Sequence, residues 1–332
     1  MEFQKLKNSF RHLIVIFLIL IFLCVLILWK FNLSSFSQEE AVTTFQETNY
    51  QQQIDEYYNY CLSTPYVSED TEASIQDFLE RYQSDDFAVY FEDIYNHYTI
   101  LKNEDKVYYG ASLIKLLDAT YLIRKALAFE VDLDTTVIVY EERFQKDYST
   151  GMDSHQVGEA ISLRDLIYYA IAYSDNTAHE MLFDYIGVLP LREYATSLGV
   201  SLSINEVEHF GNLTATMTHQ ILEEVYEILI MDNEYSELLR TAMNNTYFNS
   251  LNYGDIEILH KYGSYDPYFH DIGIYDDDSY PYFISIMSLI GEQASPNKIT
   301  EIHQEIRTIY EANIEDKNEY CLEARDEYAN SL

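Results

Sequence analysis

A serine and a lysine three positions apart, Ser112 and Lys115, have the types and spacing of a nucleophile and its base. Helical periodicity from Ser112 to Phe129 predicts that both side chains lie on one helix face, one turn apart. A serine hydroxyl needs a base to take its proton, and a desolvated lysine amine with a lowered pKa can do so. The helix N-terminus also favours negative charge on the seryl oxygen. The alternative is that Ser112 only caps the helix.

Two further polar clusters follow along the chain. Ser174, Asp175 and Asn176 lie between two predicted helices, where such a run can equally be a helix junction with capping side chains. Lys261 and Gly263 belong to the segment His260-Lys-Tyr-Gly-Ser264, which lies on a predicted strand. The alternative there is an ordinary strand lysine followed by a glycine kink.

The order of the three clusters resembles that of class A β-lactamases and penicillin-binding proteins. In that family Ser-x-x-Lys opens a helix, Ser-Asp-Asn follows, and a Lys-x-Gly strand comes last. The resemblance covers the chain from about Phe87 to Ala312, and the flanking segments Lys106–Lys115, Ile161–Ile167 and His270–Ile274 agree with it. It implies a serine hydrolase that acts through an acyl-enzyme.

The resemblance also implies a role for each catalytic residue. Ser112 would attack a strained or peptide-like carbonyl carbon, with Lys115 as its base, directly or through water. Ser174 would relay the proton to the leaving nitrogen. Asn176 would hold Lys115 and the substrate amide.

Substrate binding would fall to the returning strand. By the resemblance, Lys261 would anchor a substrate carboxylate and hold down the pKa of Lys115 by its charge. Tyr262, Gly263 and Ser264 complete the substrate-binding segment. The backbone N–H groups of Ser112 and Ser264 are the implied oxyanion hole, a device that commonly contributes a few kcal/mol.

The substrate-binding segment departs from the family pattern in two ways. Tyr262 stands where the family usually has a small Thr or Ser, so a bulky phenol would point to the place of a hydroxyl. No arginine occurs between Arg240 and Arg307, so an arginine helper on the neighbouring strand is missing. His270 is a candidate partial substitute, with simple packing as its alternative.

Hydrolysis of the acyl-enzyme needs a base, and Glu208 is the candidate. Glu208 and Asn212 have the mutual spacing of the class A deacylation pair, but the loop from Leu198 to Thr216 is shorter than expected for that family. Glu206 is an equally available carboxylate. Without such a base the acyl-enzyme would be long-lived.

Three functions therefore stay open, and several others are disfavoured. They are a β-lactamase, a D,D-peptidase or penicillin-binding-like enzyme acting on a D-Ala-D-Ala-like wall peptide, and an idle binding module. A net charge of −36 disfavours nucleic acid as a partner. The nine histidines show no His-x-x-x-His spacing, so no metal or cofactor is predicted. The segment Gly110–Ile114 lacks the second glycine of a nucleophile elbow, which disfavours an α/β-hydrolase.

The N-terminus predicts a membrane anchor. Leu13 to Trp29 form an uninterrupted apolar run preceded by Lys5, Lys7 and Arg11, which favours a cytoplasmic N-terminus and an extracytoplasmic domain at the cell membrane. A cleaved signal peptide is the alternative, but no small-x-small site follows. The predicted organisation is a tail (1–12), an anchor (13–30), a stalk with helices (31–83), the hydrolase domain (84–313, with a helical lobe at about 113–250) and a polar, frayed tail (314–332).

The predicted fold is α+β, with one antiparallel sheet built from both ends of the domain, flanking helices and an inserted helical lobe. Cys61 and Cys321 could pair if the terminal segments meet, but two cysteines give no spacing signature. The predicted strands are Phe87–Ile94, Tyr98–Lys102, Glu257–Tyr262, His270–Tyr275 and Tyr282–Leu289. The predicted helices are Glu72–Tyr82, Ser112–Phe129, Leu163–Tyr173, Thr177–Ile186, Pro190–Ser197, Thr218–Met231 and Pro296 to about Ala312.

Overall fold

A computed structural model describes residues 50–141, 150–277 and 280–332. Residues 50–63 are the described part of a first helix, α1. The other helices are α2 Glu69–Arg81, α3 Lys115–Leu127, α4 Leu163–Ala172, α5 Asn176–Ile186, α6 Val188–Ser197, α7 Ala215–Leu229, α8 Glu234–Asn244 and α9 Ser295–Ser331. The strands are β1 Phe87–Asp93, β2 Tyr98–Lys102, β3 Tyr108–Tyr109, β4 Thr136–Ile138, β5 Ala160–Ser162, β6 Asn212–Leu213, β7 Leu259–Tyr265, β8 Tyr268–Tyr275 and β9 Tyr282–Ser288.

Five strands form one antiparallel sheet in the order β2-β1-β9-β8-β7. The two strands from the start of the domain join the three from its end where Phe91 pairs with Ile284. This confirms the predicted α+β fold with a sheet built from both ends. It also leaves β7, which carries Lys261, at an edge of the sheet.

The sheet separates two hydrophobic cores because alternate side chains of a strand point to opposite faces. In β9, Ile284 and Ile286 pack with α2 and α9, whereas Phe283 and Met287 face the core of the helical region. Helices α3 to α8 lie between β3 and β7 in the chain and fill that second core. All residues of β9 are buried, as expected for a central strand covered on both faces.

Side-chain caps begin several of the helices in this region. Ser162 accepts from the Asp165 N–H at the start of α4, and Thr214 caps α7 in the same way. Helix α8, which the sequence analysis did not predict, begins with a reciprocal capping box between Asn233 and Ser236.

The membrane anchor and cytoplasmic tail predicted for residues 1–30 lie outside the described residues. Within 50–141, 150–277 and 280–332, each helix is too short or too polar to cross a bilayer.

The chain divides into two compact units, one of residues 64–317 and one that includes residues 50–63 and 318–332. In the second unit, Cys61 and Cys321 form a disulfide and Tyr57 stacks on Tyr328 with ring centroids 4.4 Å apart. The expectation of a frayed tail after Asn313 is wrong, since α9 continues to Ser331. Buried Cys321 gives this polar segment a fixed attachment.

Candidate active site

Ser112 lies in a single 3-10 turn, Ala111–Ile114, directly before α3. Its Oγ is 3.0 Å from the Nζ of Lys115. Neither the turn nor α3 has a side-chain cap, so the capping alternative for Ser112 does not hold. Ala111 has φ +45°, a conformation that an alanine rarely adopts and that is typical of functional turns.

The amine of Lys115 is fully buried and has three polar partners. Besides the Ser112 hydroxyl, Nζ donates to the Ser174 carbonyl oxygen at 2.5 Å and to Asn176 Oδ1 at 2.7 Å. These last two oxygens can only accept hydrogen bonds. A neutral amine has two N–H donors and one lone pair, so both donors are used and the lone pair is left for the Ser112 proton. This arrangement suits Lys115 as a base.

Burial lowers the pKa of Lys115 to about 7, because the charged ammonium is taken out of water. The negative charges of Asp175, Asp118 and Glu180 act in the opposite direction. Each carboxylate is engaged in other contacts, namely Asp175 with the N–H groups of Ala178 and Met152, Asp118 with His179 Nδ1, and Glu180 with His209 Nδ1.

The Ser174-Asp175-Asn176 junction is both a capped helix junction and part of the polar cluster around Lys115, the two alternatives that the sequence left open. Asp175 is the N-cap of α5, so this carboxylate is structural. Ser174, at φ +53°, points its carbonyl at Lys115 and its hydroxyl at Lys261, whose Nζ lies 2.9 Å away. Ser174 therefore joins the two lysines through different atoms of one residue.

Lys261 is also fully buried, on edge strand β7. Its Nζ donates to Ser174 Oγ and, at 2.7 Å, to the Tyr262 carbonyl oxygen. Burial lowers the pKa of Lys261 well below that of an ordinary lysine, and the charge of Lys115 lowers it further.

Gly263 allows β7 to approach the nucleophile turn. A Cβ at this position would lie 2.9 Å from the Gly110 carbonyl oxygen and 3.1 Å from Leu113 Cγ. No other residue type fits without moving backbone, which explains the glycine. The next residue, Ser264, donates from its hydroxyl to Glu292 Oε2 at 3.0 Å.

The phenol of Tyr262 lies close enough to the Ser174 side chain for that hydroxyl to act on its pKa, in the lowering direction. Its ring packs against Phe248 and Phe269, with centroid distances of 4.9 Å and 6.3 Å. Burial raises the pKa of Tyr262 to about 12, so the phenol is neutral at ordinary pH. The Nζ of Lys261 lies 4.3 Å from the centre of this ring.

His270 does not replace the missing arginine. Its Nδ1 accepts the Ser288 N–H at 3.1 Å, so Nε2 carries the proton that is donated to the Tyr109 carbonyl at 2.9 Å. Burial lowers the pKa of His270 to about 4. The ring is therefore neutral and held in place, which is the packing alternative that the sequence left open.

The loop before β6 brings an aromatic ring, rather than a carboxylate, to Lys115. The Nζ of Lys115 lies 5.7 Å from the centroid of Phe210. Glu208 has an exposed side chain that accepts from the Tyr109 hydroxyl at 3.5 Å and from the Phe210 N–H at 3.3 Å. Glu206 and Asn212 are exposed as well.

Phe210 and Glu292 are the site residues that sequence reasoning missed. Phe210 lies two positions after Glu208, in a segment without helical or strand periodicity. No local pattern therefore indicated where the Phe210 side chain would point. Glu292 lies in a turn after β9, and only the folded sheet brings it to Ser264.

A model described as the beta-lactamase enzyme family matches residues 70–311 of this chain. A search of curated proteins found no match. Among solved structures, a beta-lactamase from Chitinophaga pinensis is similar at 18% identity and a TM-score of 0.62, covering 74% of this chain and 99% of that one. PBP-A is similar at 16% identity and a TM-score of 0.65, covering 76% and 99%. TLA-3 extended-spectrum beta-lactamase is similar at 20% identity and a TM-score of 0.61, covering 71% and 98%.

Proposed function

This chain belongs to the beta-lactamase enzyme family, and from that premise we propose that it is a serine hydrolase acting through an acyl-enzyme at Ser112. The observation that carries the proposal is the environment of Lys115. The carbonyl oxygen of Ser174 and Oδ1 of Asn176, which can only accept, occupy the two N–H donors of the neutral amine. The remaining polar contact of the amine is the Ser112 hydroxyl at 3.0 Å. Such a pair activates a serine without a histidine.

The proposed reaction begins when neutral Lys115 takes the Ser112 proton and Oγ attacks the carbonyl carbon of the substrate amide. The backbone N–H groups of Ser112 and Ser264 would receive the developing oxyanion. The C–N bond then breaks, and the Ser174 hydroxyl passes its proton to the leaving nitrogen while the Lys261 ammonium, which donates to Ser174 Oγ, replaces that proton. The proton taken from Ser112 stays on Lys115 until the acyl-enzyme is hydrolysed. The substrate class is the amide of a β-lactam ring or of a peptide.

Slow deacylation is the second part of the proposal, as in a penicillin-binding enzyme. The support is that the loop before β6 contributes Phe210 at Lys115, whereas the carboxylate of Glu208 is exposed and bound to Tyr109. An aromatic ring cannot take a proton from the hydrolytic water.

A β-lactamase with sustained turnover is the second candidate. The position of Glu208 favours this candidate. Glu208 accepts a hydrogen bond from Tyr109 of strand β3, and Tyr109 is three residues before Ser112 in the chain. The role of Glu208 as a deacylating base stays a prediction.

A time course distinguishes the two candidates. The full-length chain is mixed with an excess of a chromogenic cephalosporin, as the free acid and as its methyl ester, beside Ser112→Ala. We expect a burst of about one equivalent and then slow release. Sustained turnover would favour the β-lactamase, and no Ser112-dependent burst with either compound would contradict the acyl-enzyme.

We also propose that the domain works outside the cytoplasmic membrane, held by an anchor at residues 13–30. The disulfide between Cys61 and Cys321 supports an oxidising compartment. Protease added to intact cells is expected to remove the domain. Full protection of the chain until lysis would contradict this location.

A further inference from the structure

Lys261, the predicted binding partner of a substrate carboxylate, is enclosed by the protein. Lys261 is 0% exposed, and its Nζ already donates to the Ser174 hydroxyl and to the Tyr262 carbonyl. The Tyr262 ring covers the amine at 4.3 Å. A neutral amine has no further donor, and the third N–H of an ammonium would compete with a cation–π contact. Lys261 therefore has little to offer an incoming anion.

No second cation on the neighbouring strands compensates. Lys261 is the only lysine or arginine of β7, β8 and β9. His270 is neutral and uses both ring nitrogens, and His260 is bound to Asp271 at 2.8 Å. Arg240, the nearest preceding arginine in the chain, pairs with Asp276.

A carboxylate of the protein lies at the predicted substrate-binding segment. Glu292 accepts from the Ser264 hydroxyl at 3.0 Å, and its charge acts on the Tyr262 phenol, raising the pKa of Tyr262. Ser264 directly follows Gly263, which contacts the nucleophile turn. Two carboxylates in such proximity repel each other, and more strongly as a bound substrate displaces water.

The adjoining surface is aromatic. Tyr265 follows Ser264 on β7 and is 64% exposed, and its ring lies 5.1 Å from that of Tyr109. The ring of Tyr268, the partner of Tyr265 on β8, lies 6.1 Å from that of Tyr109. These rings can contact the apolar face of a neutral ligand and offer no positive charge.

We propose that the acyl donor taken by this site carries no free carboxylate beside the scissile amide. Its substrate is then an uncharged ester, a carboxamide or an internal peptide bond, rather than a chain that ends in a carboxylate at that point. This inference rests on the proposed acyl-enzyme at Ser112, and it assigns Tyr262 and Glu292 as the residues that set specificity.

The test compares one penicillin as free acid and as methyl ester on the full-length chain. The rate of adduct formation at Ser112 is followed by intact-protein mass spectrometry and divided by the alkaline hydrolysis rate of each compound. We expect the ester to react at least about tenfold faster. An acid that reacts as fast as the ester, or faster, overturns the inference and leaves the acyl-enzyme intact. Absence of adduct from both compounds overturns the proposed function and the inference with it.

A charge variant identifies the cause of the preference. Glu292→Gln is expected to raise the acid-to-ester ratio several-fold, whereas Glu72→Gln, a matched charge change at an exposed position of α2, leaves that ratio as in the wild type. Added salt should raise the rate with the acid in the wild type and have less effect in Glu292→Gln, because salt screens exposed charges. An unchanged ratio in Glu292→Gln would remove Glu292 from the account.

Discussion

The ring of Phe210 faces the amine of Lys115, with its centroid 5.7 Å from Nζ. Phe210 also contacts the buried His179 ring, with the two ring centroids 4.7 Å apart. The amine is placed to serve Ser112, and the loop that carries Phe210 presents its ring to this amine while the Glu208 carboxylate is exposed. This contact is the structural reason to expect acylation without fast deacylation.

Removal of the Glu208 carboxylate tests that expectation. Because Glu208 is exposed and bound to Tyr109, Glu208→Gln should leave the lifetime of the acyl-enzyme within about twofold of the wild type. The lifetime is measured as decay of the covalent adduct by mass spectrometry, with Glu206→Gln as the matched control. A lifetime extended by about a hundredfold in Glu208→Gln alone would establish Glu208 as the base.

The pH dependence of acylation tests the role of Lys115. Only the unprotonated amine can take the Ser112 proton, and the pKa of Lys115 is about 7. The acylation rate should therefore fall about tenfold per pH unit below that value and level off above it. Rapid-quench measurements from acid to mildly alkaline pH determine the inflection. An inflection near the ordinary lysine pKa would contradict the proposed base. Lys115→Ala should lose about a hundredfold or more in rate.

Gly263→Ala tests the approach of β7 to the nucleophile turn. Its Cβ would meet the Gly110 carbonyl oxygen at 2.9 Å, and a backbone atom cannot move aside as a side chain can. We expect the free energy of unfolding to fall by about 1–3 kcal/mol and acylation to slow by about tenfold or more. Chemical denaturation and adduct formation measure the two effects. A wild-type acylation rate in this variant would show that the close contact is not needed.

The buried pair of Asp118 and His179 is expected to stabilise the fold behind Lys115. Both side chains are 0% exposed, with Asp118 Oδ2 at 2.5 Å from His179 Nδ1. Asp118→Ala leaves His179 buried without that partner, and we expect a loss of about 3–5 kcal/mol in the free energy of unfolding.

Chemical denaturation measures this loss, and the exposed pair of Lys125 and Glu130 is the control. Glu130→Ala should show no measurable change, because surface ion pairs contribute little. If Asp118→Ala were as stable as the wild type, the pair would have no structural role.

The parts of the fold with strong local patterns could be predicted from the sequence. The hairpin β1–β2 and the strands β8 and β9 lie within about a residue or two of their predicted bounds, because β-branched and aromatic residues cluster there between polar breaks. The spacing of Ser112 and Lys115 also predicted their contact, since it depends only on one turn of helix.

Features that depend on long-range contacts could not be predicted. Residues 314–331 are polar, so this segment does not show the apolar periodicity that identifies a helix. Helix α8 does carry such a pattern, at Tyr235, Leu238, Leu239, Ala242 and Met243, and it was missed because the segment is short. The positions of Phe210 and Glu292 depend on how two loops return to the sheet. His270 resembled a candidate cation in the sequence, and only its two hydrogen bonds reveal a neutral packed ring.

The most direct test of the account is covalent labelling of the full-length chain by a β-lactam methyl ester, followed by intact-mass and peptide mapping. We expect an adduct of one acyl group on the peptide that carries Ser112, formed in the wild type and absent from Ser112→Ala. An adduct on another residue, or equal labelling of Ser112→Ala, would contradict the assignment of Ser112 as the nucleophile.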